Sequence, residues 1–175
     1  MRVKAVISYD GSQYQGFQKQ KSTKMTISTA IEEALASLQI HSPIVGSGRT
    51  DAGVHATGQV IHFDLPDFWN DLEKLKLNLN RKLTDISFKH ISLATNNFHA
   101  RFSAKKRLYL YVFKIQKPSV FKQKYISYYE EFDAHLLVKA LKTFEGKHDF
   151  NFFHKTGTMT HTTIREIYRT DYVER

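Results

Sequence analysis

Apolar residues alternate with polar ones from the start of the chain. Val3, Ala5, Ile7 and Tyr9 share one face, the period of a half-buried strand, so residues 2 to 9 are predicted to be one. The pattern then breaks into a polar loop that begins at Tyr9-Asp10-Gly11 and runs through Gly16-Phe17-Gln18-Lys19-Gln20. From Ile27 the period changes to that of a helix: Ile27, Ala30, Ile31, Ala34, Leu35 and Leu38 fall on one face, with Thr26 as N-cap. Strands are predicted near 43–48 and 57–64. Phe68, Leu72, Leu75 and Leu79 mark a second helix, and a strand follows near 85–93.

Past residue 100 the apolar positions crowd together. Between Arg107 and Ile115, Tyr109, Tyr111, Phe113 and Ile115 lie on one face, and Leu108, Leu110 and Val112 on the other. Apolar residues on both faces predict a central strand. Asp133 should cap a helix carrying Leu137, Val138, Leu141 and Phe144 that stops at Gly146, with a last strand over 162–173. This strand is half-apolar and basic, and no closing element follows it. Its edge then needs a covering chain, or the sequence is a fragment. The order β-α-β-β-α-β followed by β-α-β predicts an α+β protein with an antiparallel sheet and helices on one face. No Pro-, Gly- or Ser-rich linker separates the halves, and a boundary near residue 95 divides residues 1–95 from 96–175.

The 175 residues suffice for one domain, or two fused half-sized units, with a real core. No apolar run approaches the ~18 residues of a membrane span, and residues 1–4 lead straight into a strand pattern. The absence of cysteine excludes disulfides and thiolate metal sites and fits a cytoplasmic protein. Charge changes the picture more. Twenty-six Lys and Arg against seventeen acids give a formal +9, and thirteen Phe and nine Tyr accompany a single Trp. Phosphates reward cations and unstacked bases reward aromatic faces, so nucleic acid is the favoured partner over a generic basic surface.

Three segments could carry chemistry. Four of the eight glycines (Gly46, Gly48, Gly53, Gly58) lie within thirteen residues around the run GRTDAGVHA, Gly48 to Ala56. The run fits two readings: a hairpin turn whose Asp51 caps its own backbone, or a loop presenting the Asp51 carboxylate to a ligand. Arg49 and Asp51 stand at i and i+2. If both are extended they share a face, and the arginine could hold the carboxylate ionised and aimed. Such an aspartate serves as nucleophile, general base or metal ligand, but no second acid lies nearby to complete a metal site. The scattered histidines, His55 and His62 included, lack the spacing of a ligand pair. The second segment, Phe98 to Arg107, sets Arg101, Lys105, Lys106 and Arg107 beside Phe98, Phe102 and His99 and runs into Tyr109. Cations there could track phosphates while an aromatic stacks under an extruded base. The third, Gln13 to Gln20 with Gln18 and Lys19, offers amide and cationic donors on a loop.

In order and spacing, these segments resemble the TruA family of tRNA pseudouridine synthases. The likeness covers Tyr9-Asp10-Gly11 with Tyr14 to Gln18, GRTDAGVHATGQVIHF (Gly48 to Phe63) and FHARFSAKKRLYLY (Phe98 to Tyr111). It continues more weakly through Gly146 to Phe150 and on to Ile164-Arg165.

The resemblance implies an isomerase that converts uridine to pseudouridine at positions 38 to 40 of the tRNA anticodon arm, without cofactor or metal. The fold it implies is an antiparallel sheet of two ferredoxin-like halves, the second incomplete here. It makes Asp51 the nucleophile and Tyr109 the residue packed against the uracil. Arg49, Arg101 and the Lys105-Lys106-Arg107 run would grip RNA, with Gln18 and Lys19 beside them. A homodimer is implied, with a cleft built from both subunits. Phe17 stands where the family usually has Trp and should keep a stacking face. Against the family pattern this sequence stops before the last motif, which carries the arginine that pairs with the aspartate. The alternative expectation is therefore a non-catalytic or impaired RNA-binding fragment.

Overall fold

Strand β1 (Arg2–Tyr9) buries the four residues its alternation selects: Val3, Ala5 and Ile7 are wholly inaccessible and Tyr9 nearly so. It is the hub of a four-stranded antiparallel sheet in the computed structural model, which describes residues 1–153 and 162–174. The other members are β2 (Val45–Gly46), β3 (Ala56–Asp64) and β4 (Ile86–Leu93), in the order β2-β3-β1-β4. The register sets Val3 opposite Phe63 and Ala5 opposite Ile61 on one side, and Val3 opposite Leu93 and Ala5 opposite Ile91 on the other. One face of the sheet is therefore apolar. Helices α1 (Ile27–Ala36) and α2 (Leu72–Lys82) supply Ile27, Ile31, Leu35, Leu75 and Leu79 to the same core.

Both helices begin where a side chain can take up a free amide. Thr26 Oγ1 accepts from the Thr29 N–H at 3.2 Å, and Asp71 Oδ1 accepts from the Lys74 N–H at 2.9 Å. Such caps contribute about 1 kcal/mol each. The second helix thus starts at Leu72, and Phe68, expected on its apolar face, lies outside it and is exposed. The sheet's other face carries Arg2, Lys4, Val6 and Ser8 of β1, with Asp64, His62 and Val60 opposite the first three. The segment after β4 is anchored on this face.

The chain divides into two compact units, Met1–Tyr109 and Leu110–Arg175. In the second unit, β5 (Phe113–Lys114) pairs in parallel with β6 (Ser127–Tyr128), and β7 (Gly146–Asp149) pairs antiparallel with β8 (Ile164–Ile167). Helix α3 (Ala134–Thr143) starts at Asp133, whose Oδ1 accepts from the Leu136 N–H at 3.0 Å. Aromatic rings make much of this unit's packing: Phe113 meets Tyr129, Phe132 and Tyr172, and Phe144 meets Phe150 and Phe153. Glu145 takes hydrogen bonds from Lys142 Nζ and from the Thr170 amide and hydroxyl. These hold its carboxyl down at about 2 and tie the end of α3 to residue 170.

Two expectations are corrected here. Residues 107–115 do not form a central strand; only Phe113–Lys114 is extended and paired. Apolar residues on both faces stabilise a strand only when layers cover both faces and strands flank both edges. Among the described residues nothing does this for Leu108 to Tyr111, which are 68–95% exposed. The last strand is likewise Ile164–Ile167, not 162–173, because β7 offers only four residues to pair with it.

Candidate active site

The loop between β2 and β3 is held from below and from the side. Below it, Tyr9 Oη donates to Gln59 Oε1 at 2.9 Å and lies 2.9 Å from Thr50 Oγ1, while Gln59 Nε2 donates to the Gly48 carbonyl at 2.8 Å. From the side, the loop after β1 adds two main-chain bonds. The Phe17 N–H donates to Thr50 O at 3.0 Å, and the Gly53 N–H donates to Tyr14 O at 3.2 Å. Asp51 stands between these anchors on a tight turn, with the Val54 N–H donating to its carbonyl at 3.3 Å, and its side chain is exposed.

Two glycines let the loops approach this closely. A Cβ on Gly11 would fall 2.0 Å from the Val54 carbonyl oxygen. Gly16 has φ +102° and would set a Cβ 2.9 Å from Thr50 O. His55 closes the same junction: its Nδ1 accepts from the Gly11 N–H at 3.1 Å and lies 3.1 Å from Asp10 Oδ1. Burial raises the Tyr9 phenol above its ordinary range, more than the Thr50 hydrogen bond lowers it, so Tyr9 is a neutral hydroxyl in this network.

The predicted RNA-contact residues fall into different situations. Arg49 is exposed two residues before Asp51, and among the described residues the two side chains form no ion pair. Arg107 reaches back to the start of the loop, where Nε and a terminal nitrogen both donate to Ser47 O, Nε at 3.1 Å. Arg101 lies beside the Phe102 ring, its guanidinium carbon 6.0 Å from the ring centroid. Lys105 and Lys106 are exposed. Gln18 is exposed, and Lys19 pairs with Glu32 of α1. Tyr109 is 68% exposed, and among the described residues its ring meets no other ring. Phe17 offers no stacking face: it is 4% exposed and sits in the core beside Tyr9, ring centroids 6.3 Å apart.

The segment carrying Arg101 is anchored by residues that sequence reasoning did not single out for this task. Arg2 makes a paired salt bridge to Asp64 and donates to the carbonyls of Asn96 and Phe98 at 2.8 and 3.2 Å. His62, 5% exposed, accepts the Ala100 N–H at Nδ1 over 3.1 Å, with the Phe98 and His99 rings against it. Burial, then the charge of Arg2 and the neighbouring His99, hold His62 below its ordinary pKa.

Tyr9, Thr50 and Gln59 were missed as a group. One signal was available: Gln59 falls in the apolar phase of β3, in register with Ile7, where a polar side chain needs a buried partner. Among the described residues, no group of three or more His, Asp or Glu could hold a metal ion, and no helix is long and apolar enough to cross a membrane.

Comparison with known proteins points one way. The sequence profile of a family described as tRNA pseudouridine synthase matches residues 5–103. The chain is similar to tRNA pseudouridine synthase A of Helicobacter hepaticus, 42% identical over 172 residues, which cover 94% of this chain and 69% of that protein. Against the protein of the same name from Bacillus subtilis, identity is 41% over 180 residues, covering 99% and 72%. Against that of a Thermotoga species it is 40% over 174 residues, covering 96% and 69%. The matched region includes the Asp51 loop and the Arg101 segment.

Proposed function

The chain belongs to the tRNA pseudouridine synthase family, and on that premise we propose that it isomerises uridine to pseudouridine in the anticodon arm of tRNA, at positions 38 to 40, with Asp51 as the attacking group. One observation carries the proposal. An exposed carboxylate stands on a loop whose flanking residues, Thr50 and Gly53, are each fixed to a neighbouring loop by a main-chain hydrogen bond. A loop held in this way presents its carboxylate to a substrate without the main chain first having to be ordered.

The reaction breaks the N1–C1′ glycosidic bond, turns the uracil and joins its C5 to C1′; C5 loses its proton, N1 gains one, and the carboxylate is regenerated. Asp51 can contribute by attack at C1′, by addition to C6 of uracil, or by taking the 2′ proton. In each case the base must first leave its stack, which costs on the order of a few kcal/mol. Tyr109, exposed at the end of the first unit, is the proposed platform for the extruded base. Arg49, Arg101, Lys105, Lys106, Arg107, Gln18 and Lys19 are the proposed RNA contacts. Of these, Arg107 and Lys19 already hold protein partners, which favours Arg101 and Lys105 as the first to meet phosphate.

The wider reading follows the family. The connectivity β1-α1-β2-β3-α2-β4, with sheet order β2-β3-β1-β4, supports a ferredoxin-like first half, residues 1–95, that bears the Asp51 loop. Residues 96–175 would belong to the second half. A cytoplasmic homodimer is proposed, for which the exposed run Leu108 to Val112 offers apolar surface to cover.

The test incubates the chain with an unmodified tRNA transcript and measures pseudouridine in the anticodon arm alongside tRNA binding. Wild type should form product; Asp51→Ala and Asp51→Asn should bind tRNA and form none. Binding without product in wild type would favour a non-catalytic RNA-binding role. Product formed equally by Asp51→Ala would remove Asp51 as the reacting group.

A further inference from the structure

The side-chain relay beneath the loop joins points on either side of Arg49. Gln59 holds the carbonyl of Gly48, and Tyr9 holds the hydroxyl of Thr50, the residue immediately before Asp51. The bonding directions are mutually consistent. The Tyr9 hydroxyl has one proton, which goes to Gln59 Oε1, so it accepts the proton of Thr50 Oγ1. The Gln59 amide nitrogen is thereby turned toward Gly48 O. The Tyr9 hydroxyl both donates and accepts, and Tyr9 is 4% exposed, so water has little access to its ring.

The phenol reaches this point because β1 shifts register between Ile7 and Tyr9, bringing Tyr9 opposite Ala56 where β3 emerges from the loop. The ring itself is fixed against Phe17, the residue whose N–H binds the Thr50 carbonyl. Thr50 is thus held at its side chain by Tyr9 and at its main chain by Phe17, with the two aromatic rings packed together.

We propose that Tyr9, acting through Thr50 and Gln59, is a positioning residue that sets the orientation of Asp51 for reaction. The proposal rests on the reading of Asp51 as the reacting group, and Tyr9 itself touches no substrate. The core would keep its shape without the hydroxyl, since the ring supplies the packing. Tyr9→Phe therefore removes the hydrogen bonds and leaves the fold.

The decisive measurement combines single-turnover rates at saturating tRNA with hydrogen exchange of the amides over residues 48–54. Tyr9→Phe should slow the chemical step by between about tenfold and a hundredfold, the scale of a slightly misplaced group. Its affinity for tRNA should change by less than about twofold, and exchange across the loop should quicken. Thr50→Val, which removes only the Tyr9–Thr50 bond, should slow the step by no more than Tyr9→Phe does. Thr50→Ser should retain most of the rate, and the double variant Tyr9→Phe/Thr50→Val should be no slower than Tyr9→Phe alone, because that variant has already lost the Thr50 bond. A Tyr9→Phe protein with wild-type rate and wild-type exchange overturns the proposal. So does a slowed rate that follows only the fraction of unfolded protein, with exchange in the folded loop unchanged. Asp51→Ala is run in parallel: full activity there would sink the reading of Asp51, whereas the hold of Tyr9 on the loop is decided separately by the exchange data.

Discussion

At the scale of single residues, the loop junction depends on what is not there. Gly11 faces main chain, not a movable side chain: its missing Cβ would overlap the Val54 carbonyl oxygen at 2.0 Å. No rotamer change relieves that overlap, so Gly11→Ala must push the β1 loop away from residues 53–54. The displacement would strain the Gly11–His55 bond and the Gly53–Tyr14 bond. Overpacking of this kind typically costs about 1–3 kcal/mol. Gly11→Ala is thus expected to lower the unfolding free energy by that amount and to slow pseudouridine formation further than the stability loss explains. A variant with wild-type denaturant midpoint and rate would show that the loops are not held together in this way. Asp51 stands out in the sequence because glycines cluster around it. The bonds that fix its neighbours do not, because Tyr9, Thr50 and Gln59 are separated by up to 50 positions and meet only once the sheet register is set. Phe17 illustrates the converse. Its place in a motif suggests a stacking face, but Gly46 leaves room for its ring inside the core, where a Cβ on the glycine would come within 2.6 Å.

At the scale of elements, α1 and α3 were legible because Thr26 and Asp133 mark their first turns, and β1 because one face is continuously apolar. The strand expected over 107–115 was not, since its pattern describes neighbours that the sequence does not name. The segment after β4 is held by bonds that no periodicity reveals: Arg2 grips its carbonyls and His62 takes its Ala100 amide. This arrangement has a pH dependence with a definite sign. His62 is held below its ordinary value of 6.5 by burial and by Arg2 and His99, with Asp64 opposing. The unfolded chain therefore takes up a proton at His62 before the folded one does, and stability falls as pH drops below about 6.5, continuing until the folded group is also protonated. Asp64 acts in a separate range. Its carboxyl is held below 3.8 by Arg2, so its contribution persists above 3.8 and disappears only in stronger acid. Urea midpoints measured from pH 7.5 to 5.5 should fall more steeply in wild type than in His62→Gln, which cannot titrate. Equal slopes would mean that the folded state does not discriminate against protonated His62.

At the scale of the whole molecule, the formal charge of +9 predicts that tRNA binding weakens steeply with salt, because each cation set on a phosphate releases condensed counterions. Charge counting alone would assign every Lys and Arg of the 101–107 run the same share, but the structure separates them. Arg101 lies beside the Phe102 ring and Lys105 is exposed, whereas the Arg107 guanidinium gives two N–H groups to the Ser47 carbonyl at the entrance to the Asp51 loop. A guanidinium so engaged must give up protein bonds before it can meet phosphate, and its removal loosens the loop instead. Replacing Arg101 or Lys105 by alanine is therefore expected to reduce the slope of log K against log salt by roughly 0.7 to 0.9 for each phosphate left unneutralised, and to weaken all tRNAs alike. Arg107→Ala should change that slope by less than half as much, and its cost should fall on the rate at saturating tRNA. Binding isotherms at several salt concentrations, paired with single-turnover rates, decide between the two assignments. A full unit of slope removed by Arg107→Ala with an unchanged rate would place that arginine on the RNA backbone and free the Asp51 loop from its support.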